Sequence, residues 1–243
     1  MKIDVIGSSC SWYQRNNTSF VIDGKILFDI SSGNYKDIIK KYDIFDIDSL
    51  IISHWHSDHI GDIKVLSTMF LRAKKKGKID KKLKMYSFAG LDEYIIKLQK
   101  LTFSREDELD INLLRNAVEF YDINDGDEFE ENGYKIKAYA VDHGDLACLG
   151  YTFTDKDGKT VAFSGDTTNC ENLEKMLSIS DYAFVDMAAT FKNPNHLDVD
   201  GFIELQKKYP NCKMFPIHTS DPAFELGKEK GIELVNDGDV FEF

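Results

Sequence analysis

Three observations predict an α/β fold with two mixed sheets packed face to face and helices outside. Strand-like runs fall into two blocks, each followed by helical periodicity, the pattern of a layered α/β architecture. Turn dipeptides punctuate the strands: Asp23-Gly24, Asp125-Gly126, Asn132-Gly133 and Asp157-Gly158. No repeat period, linker or low-complexity stretch divides the 243 residues, so 1–243 reads as one domain.

Residues Lys2–Ile6, Thr18–Ile22 and Lys25–Ile30 read as strands, the last two joined by the Asp23-Gly24 hairpin signal. Asn34–Tyr42 carries a short helical pattern, and Ser49–Ile52 is a brief apolar run suited to a buried strand. Ile60, Ile63, Leu66, Ser67 and Phe70 then recur at helical spacing. Lys82–Tyr86 reads as strand. Leu91, Tyr94, Ile95, Leu98 and Leu101 mark an amphipathic helix, with a second helix over Arg105–Ala117. From Val118 the chain turns β-rich, through Phe120–Ile123, Glu128–Glu131, Tyr134–Val141, Gly150–Thr154 and Thr160–Ser164. In Tyr134–Val141, Ile136, Ala138 and Ala140 alternate with Lys135, Lys137 and Tyr139, as a half-buried strand requires. Helices at Asn172–Leu177, Asp200–Tyr209 and Ala223–Lys230 alternate with strands Tyr182–Asp186, Lys213–Ile217, Glu233–Val235 and Val240–Phe243.

Between the Ser49–Ile52 strand and its helix lies Ser53-His54-Trp55-His56-Ser57-Asp58-His59-Ile60-Gly61-Asp62. Three histidines and an aspartate within six residues make a poor core. Imidazole nitrogen and carboxylate oxygen crowded on one turn suit zinc or a similar transition metal. His54 and His56, two apart on extended chain, can face one ion; Asp58 and His59, at the helix start, can reach a second. His143, Asp166 and His218 each follow a predicted strand, where side chains converge on one mouth of a sheet.

The His-x-His-x-Asp-His pattern after an apolar strand resembles the signature of the metallo-β-lactamase superfamily. The resemblance implies an αββα sandwich and two divalent cations, zinc first, with manganese or iron as alternatives. His54, His56 and His143 would hold one ion and Asp58, His59 and His218 the other, with Asp166 bridging. His56 stands where the superfamily's diiron flavoproteins carry glutamate, which implies a dizinc hydrolase. The segment Asp186-Met-Ala-Ala-Thr190-Phe191-Lys-Asn-Pro-Asn-His196, with Gly150-Tyr151 after His143, resembles the ribonuclease Z branch. That branch implies His196 as general acid beside the leaving group. Asp58 and His196 are the expected catalytic residues.

Ribonuclease Z carries a long arm that grips transfer RNA between the third and fourth motifs. Here only Gly144–Gly165 separates His143 from Asp166. The chain therefore resembles armless relatives, the cyclic-nucleotide phosphodiesterases of the anti-Pycsar type. The expected reaction is hydrolysis of a small phosphodiester, a cyclic nucleotide, by water activated between two metals, with protonated His196 donating to the leaving alkoxide. Asp62 and Asp186 are candidate orienters of ligating imidazoles, with capping as the alternative. Trp12, Tyr13 and Arg15 in the 8–17 loop are candidate substrate contacts, with loop structure as the alternative. The rivals are a ribonuclease Z-type endonuclease, a lactone or thioester hydrolase on the same metals, and a non-catalytic module keeping the fold.

The bulk properties exclude some classes. A net charge of −12 repels long nucleic acid unless a local basic patch overrides it. The candidate patch, Arg72 to Lys84, reads as a solvated helix end, with a phosphate-attracting rim as the alternative. With 42% apolar and 30% charged residues, no window approaches a membrane span. The start, Met1-Lys2-Ile3-Asp4-Val5, reads as strand with no signal peptide. Cys10, Cys148, Cys170 and Cys212 lack paired spacing and read as thiols of a reducing, cytoplasmic compartment. The resemblance implies a homodimer.

Overall fold

The computed structural model describes residues 1–11, 13–101 and 111–243. Two sheets form, one from each half of the chain. The first joins β1 (Lys2–Gly7), β2 (Ser19–Ile22), β3 (Ile26–Phe28), β4 (Ser49–Ile51), β5 (Leu83–Ser87) and β6 (Val118–Asp122) in sequence order. The second joins β7 (Glu128–Glu131), β8 (Tyr134–His143), β9 (Leu146–Thr154), β10 (Thr160–Phe163), β11 (Tyr182–Asp186) and β12 (Lys213–Ile217). The last strand, β13 (Val240–Glu242), returns to the first sheet and pairs with β1. Each sheet is antiparallel through its hairpins and parallel where helices intervene, from β3 to β6 and from β10 to β12. A parallel neighbour requires a crossover, and helices supply it.

The helices α1 (Asn34–Lys41), α2 (Ser57–Ile60), α3 (Ile63–Lys75), α4 (Leu91–Lys100) and α5 (Ile111–Ala117) belong to the first half. Their apolar stripes and the outer face of the first sheet share one core, with Ile38, Leu66, Phe70, Ile95 and Leu114 on the helix side. The second half has α6 (Glu171–Ile179), α7 (Val199–Lys208) and α8 (Asp221–Glu229), packed over the second sheet through Leu173, Met176, Phe202 and Ala223. Between the sheets lies an aromatic core, where Phe163 stacks on Phe28 at 4.8 Å and on Phe184 at 5.2 Å. The layer order is αββα, as the resemblance implies.

Three differences from the sequence reading have physical causes. Glu233–Val235 is not a strand: Val235 joins the inter-sheet core while Leu234 packs under the helices, so the segment crosses between layers without a ladder partner. The single helical stripe after the motif is broken into α2 and α3 at Gly61-Asp62. A β-carbon on Gly61 would lie 1.8 Å from Ser32 Oγ, so the break is packed against the loop before α1. The β8–β9 ladder reaches His143 and Leu146, longer than the apolar alternation suggests. The helix expected over Arg105–Ala117 is described from Ile111; its beginning lies outside the described residues.

Candidate metal centre

The functional candidates follow the carboxyl ends of six strands: Asp29 after β3, His54 after β4, His143 at the end of β8, Asp166 after β10, Asp186 at the end of β11 and His218 after β12. In parallel α/β sheets these ends form the crevice where ligands bind. His56, Asp58 and His59 reach it from the β4–α2 turn. Asp166 is brought in by Gly165, whose φ of +62° and contact with the Leu149 carbonyl leave no room for a side chain. His218 itself holds a left-handed φ of +55°, uncommon outside glycine and asparagine.

Seven side chains meet there in two groups. His54, His56, His143 and Asp166 offer ligand atoms within 4.8 Å of one another, as do Asp58, His59 and His218. Asp166 stands between them, with Oδ2 3.5 Å from His54 Nε2 and 3.2 Å from His218 Nε2, and Oδ1 3.3 Å from His59 Nε2. His56 Nδ1 lies 2.9 Å from His54 Nε2 and 3.3 Å from His143 Nε2.

The tautomers follow from the surrounding bonds. Ser53 Oγ gives its one hydrogen to Asp29 Oδ2, so it accepts from His54 Nδ1 at 3.0 Å. Thr18 Oγ1 gives its hydrogen to the Ser9 carbonyl and accepts from His218 Nδ1 at 3.3 Å. His143 Nδ1 donates to the Asn195 carbonyl and His59 Nδ1 to Asp29 Oδ2, at 2.8 and 2.7 Å. Four rings thus turn an Nε2 inward, and His59 Nε2, wholly buried, has no hydrogen-bond partner. His54 Nε2, His56 Nδ1 and His143 Nε2 converge on one another, so a single cation there would be held by all three rings. The donor set fits a dinuclear divalent-metal site, with imidazoles oriented as metal ligands usually are.

The electrostatics agree. Burial first, then neighbouring positive charge, pushes His54 well below its ordinary value; burial likewise lowers His56 and His218. Neutral imidazole is the ligating form. Burial would raise the Asp166 carboxyl, but His218, His59 and His54 around it hold it well below the usual carboxylate range. Burial would lower His59, but Asp166 and Asp29 on either side push it well above.

Asp29 escaped the sequence reading: a lone carboxylate after an apolar strand carries no motif. Of the candidates named there, Asp62 accepts from the Tyr35 backbone amide and caps α1, so it orients no imidazole. Asp186 accepts from His196 Nδ1 at 2.8 Å and from the amides of Thr167 and Ala188. His196 stacks over His218, and its ligand atom also falls within 4.8 Å of those of Asp166 and His218. Arg15 donates to Thr219 and lies over the Phe224 ring, tying its loop to the turn that carries His218. Trp12 lies outside the described residues. Cys148 is packed and buried, while Cys10 lines the mouth. The Lys-rich stretch sits at the far end of α3, about 20 Å along the helix from the motif, with Lys81 paired to Asp48.

Residues 26–219 match the family described as the beta-lactamase superfamily domain. The chain belongs to that superfamily. Its fold is the metallo-β-lactamase fold: it superposes on the metallo-beta-lactamase fold protein YhfI from Bacillus subtilis with a TM-score of 0.76 and 17% identity, covering 99% of each chain. A diphosphatase of the PhnP family superposes with a TM-score of 0.73 and 20% identity, covering 100% of this chain and 97% of that one. A ribonuclease Z from Myxococcus xanthus is 24% identical over 133 residues, 54% of this chain and 39% of the relative, so the match spans well under half of that relative's length. Superfamily membership and the two facing donor sets support a metal-dependent hydrolase. Among the described residues, no helix of this superfamily member is long and apolar enough to cross a membrane.

Proposed function

We propose that the protein hydrolyses a small phosphodiester, a cyclic nucleotide first among them, at two divalent cations. Zinc is the first candidate metal, with manganese or iron as alternatives. The observation that carries this reading is the pairing of the two donor sets across Asp166 with a histidine, His196, poised at the same mouth on its own carboxylate. His54, His56 and His143 would hold one cation and Asp58, His59 and His218 the other, with Asp166 between. Two such cations supply a water of lowered pKa and draw charge from the phosphoryl oxygens.

The remaining steps belong to the chain. His196, held by its bond to Asp186 and not required by either of the two donor sets, donates a proton to the departing alkoxide. Burial pulls its pKa down, but the Asp186 hydrogen bond and charge outweigh that and raise it to about 9 in the metal-free chain, which favours the protonated ring. The mouth, about 560 Å³ and flanked by Tyr13 and Phe191, suits a ligand the size of a nucleotide. A leaving alkoxide needs that proton whereas a thiolate does not, which disfavours thioester hydrolysis.

The ribonuclease Z relative favours a second reading, cleavage of RNA. Against it stand the net charge of −12 and the connection from His143 to Asp166, which β9, β10 and a tight turn fill completely. A homodimer, expected from the resemblance, is part of the proposal and is checked by light scattering. The decisive assay measures metal content and turnover of bis-p-nitrophenyl phosphate, a panel of cyclic nucleotides and a precursor tRNA. His196→Ala should lower turnover about 10²–10⁴-fold on an alkyl ester and far less on p-nitrophenyl esters, with metal content unchanged. Equal losses on both would remove the acid role.

A further inference from the structure

A second cavity borders the metal centre, and His196 is not part of its lining. It measures about 250 Å³; Trp55, Phe88, Leu146 and Ala147 wall it, and His54 and His56 form its inner edge. His56 is the one residue it shares with the mouth. The mouth is mixed, with His196, Asn193 and Ser220 beside Phe191 and Pro222; this cavity is apolar and offers no charged side chain apart from the ligand histidines.

Its walls are unusual for a solvent-facing surface. Trp55 stands between two inward-facing histidines on extended chain, so alternation turns it the other way. Its indole is fixed on one side by stacking on Tyr94 at 5.6 Å, and its Nε1 donates to Ser87 Oγ at 2.8 Å. It nevertheless remains 36% exposed, and Leu146 opposite is 48% exposed. A held, partly bare indole beside a second bare apolar group is a stacking platform for a flat ring.

In an in-line displacement the leaving group departs toward its acid. His196 lines the mouth, and a substituent off the in-line axis has a second place beside the centre in the apolar cavity across His56; in a cyclic nucleotide, whose leaving and retained oxygens share one ribose, that substituent is the base. We propose that this cavity is a subsite for a planar aromatic group on the retained side of the phosphoester, seated against Trp55 with Phe88 and Leu146 as walls. This rests on the hydrolase reading. A nucleobase and a simple aryl ester share the chemistry it would recognise.

The test compares methyl p-nitrophenyl phosphate with 1-naphthyl p-nitrophenyl phosphate, which share a leaving group and differ in the retained one. The kcat/KM ratio of naphthyl to methyl should fall about tenfold in Trp55→Ala and in Leu146→Gln. Leu146 is exposed enough that its variant folds even if the loss of Trp55 loosens α4. In parallel, 1-naphthyl phosphate and methyl phosphate are titrated into the zinc-loaded Trp12→Phe protein, where indole fluorescence reports Trp55 alone. Naphthyl phosphate should bind about tenfold more tightly and quench that emission, and Leu146→Gln should abolish the preference. Turnover of both esters with an unmoved ratio overturns the subsite and leaves the hydrolase reading standing. No turnover, but quenching and a preference lost in Leu146→Gln, overturns the hydrolase reading and leaves the subsite standing. A naphthyl preference absent from the titration of the Trp12→Phe protein overturns the subsite whatever the turnover. Aryl and nucleoside 5′-phosphates compared in the same titration tell the two sources apart.

Discussion

Asp29 belongs to neither donor set, but three groups around the centre depend on it. It accepts from the Ser53 amide and hydroxyl and from His59 Nδ1, so one buried carboxylate sets the orientation of His59 directly and of His54 through Ser53. Replacing such an orienting partner costs about 10–100-fold in metal affinity. Asp29→Asn should therefore weaken metal binding by that amount, read by competition with a chelating dye. The same carboxylate governs pH dependence. His59, raised by Asp166 and Asp29, carries a proton in the metal-free protein around neutrality, and a cation must displace it. Below that raised pKa the affinity falls as pH falls; above it the competition ends. Titration in buffers of different ionisation enthalpy should count a proton released at pH 7, with a shallower pH slope in Asp29→Asn. Metal uptake independent of pH would contradict this assignment.

At the scale of elements, the strand-to-helix turn after β4 presents four candidate ligands from one segment, and its geometry depends on the kink at Gly61. The φ there is −58°, ordinary for any residue, so the demand for glycine comes from contact with Ser32 Oγ and the Ser57 carbonyl. Gly61→Ala should cost about 1–3 kcal/mol by overpacking, read by thermal unfolding. Ser32→Gly in the same chain should restore part of it, because the clash with the Ser57 backbone remains. What could be read in advance at this scale follows physical lines. The His54–His59 cluster was legible because its members are adjacent. His143, Asp166 and His218 were legible as residues at strand ends once the superfamily resemblance asked for three more ligands. Asp29 was not, because burial of a lone carboxylate leaves no trace in its neighbours along the chain. The Glu233–Val235 segment misled because alternation records which layers the two faces touch, and a crossover between layers alternates just as a paired strand does.

For the whole molecule, the layer order was legible from two β-rich blocks with helices after each, whereas the return of β13 to the first sheet was not, since strand pairing is non-local. The sheets are clamped by rings: Phe20, Phe28, Phe153, Phe163 and Phe184 meet edge-on or stacked across the interface. Phe163 lies on β10, three residues before Asp166, so loss of its ring loosens the seam and the floor of the centre together. Phe163→Ala should cost about 3–5 kcal/mol, read by urea unfolding of the metal-free protein. A loss below 1 kcal/mol would mean the inter-sheet layer contributes little. The left-handed turn at His218 has a further implication. A glycine would sit there with less strain, so a library enriched for heat resistance alone would drift toward a blank loop at 218. That this sequence keeps an imidazole there instead points to a demand other than durability.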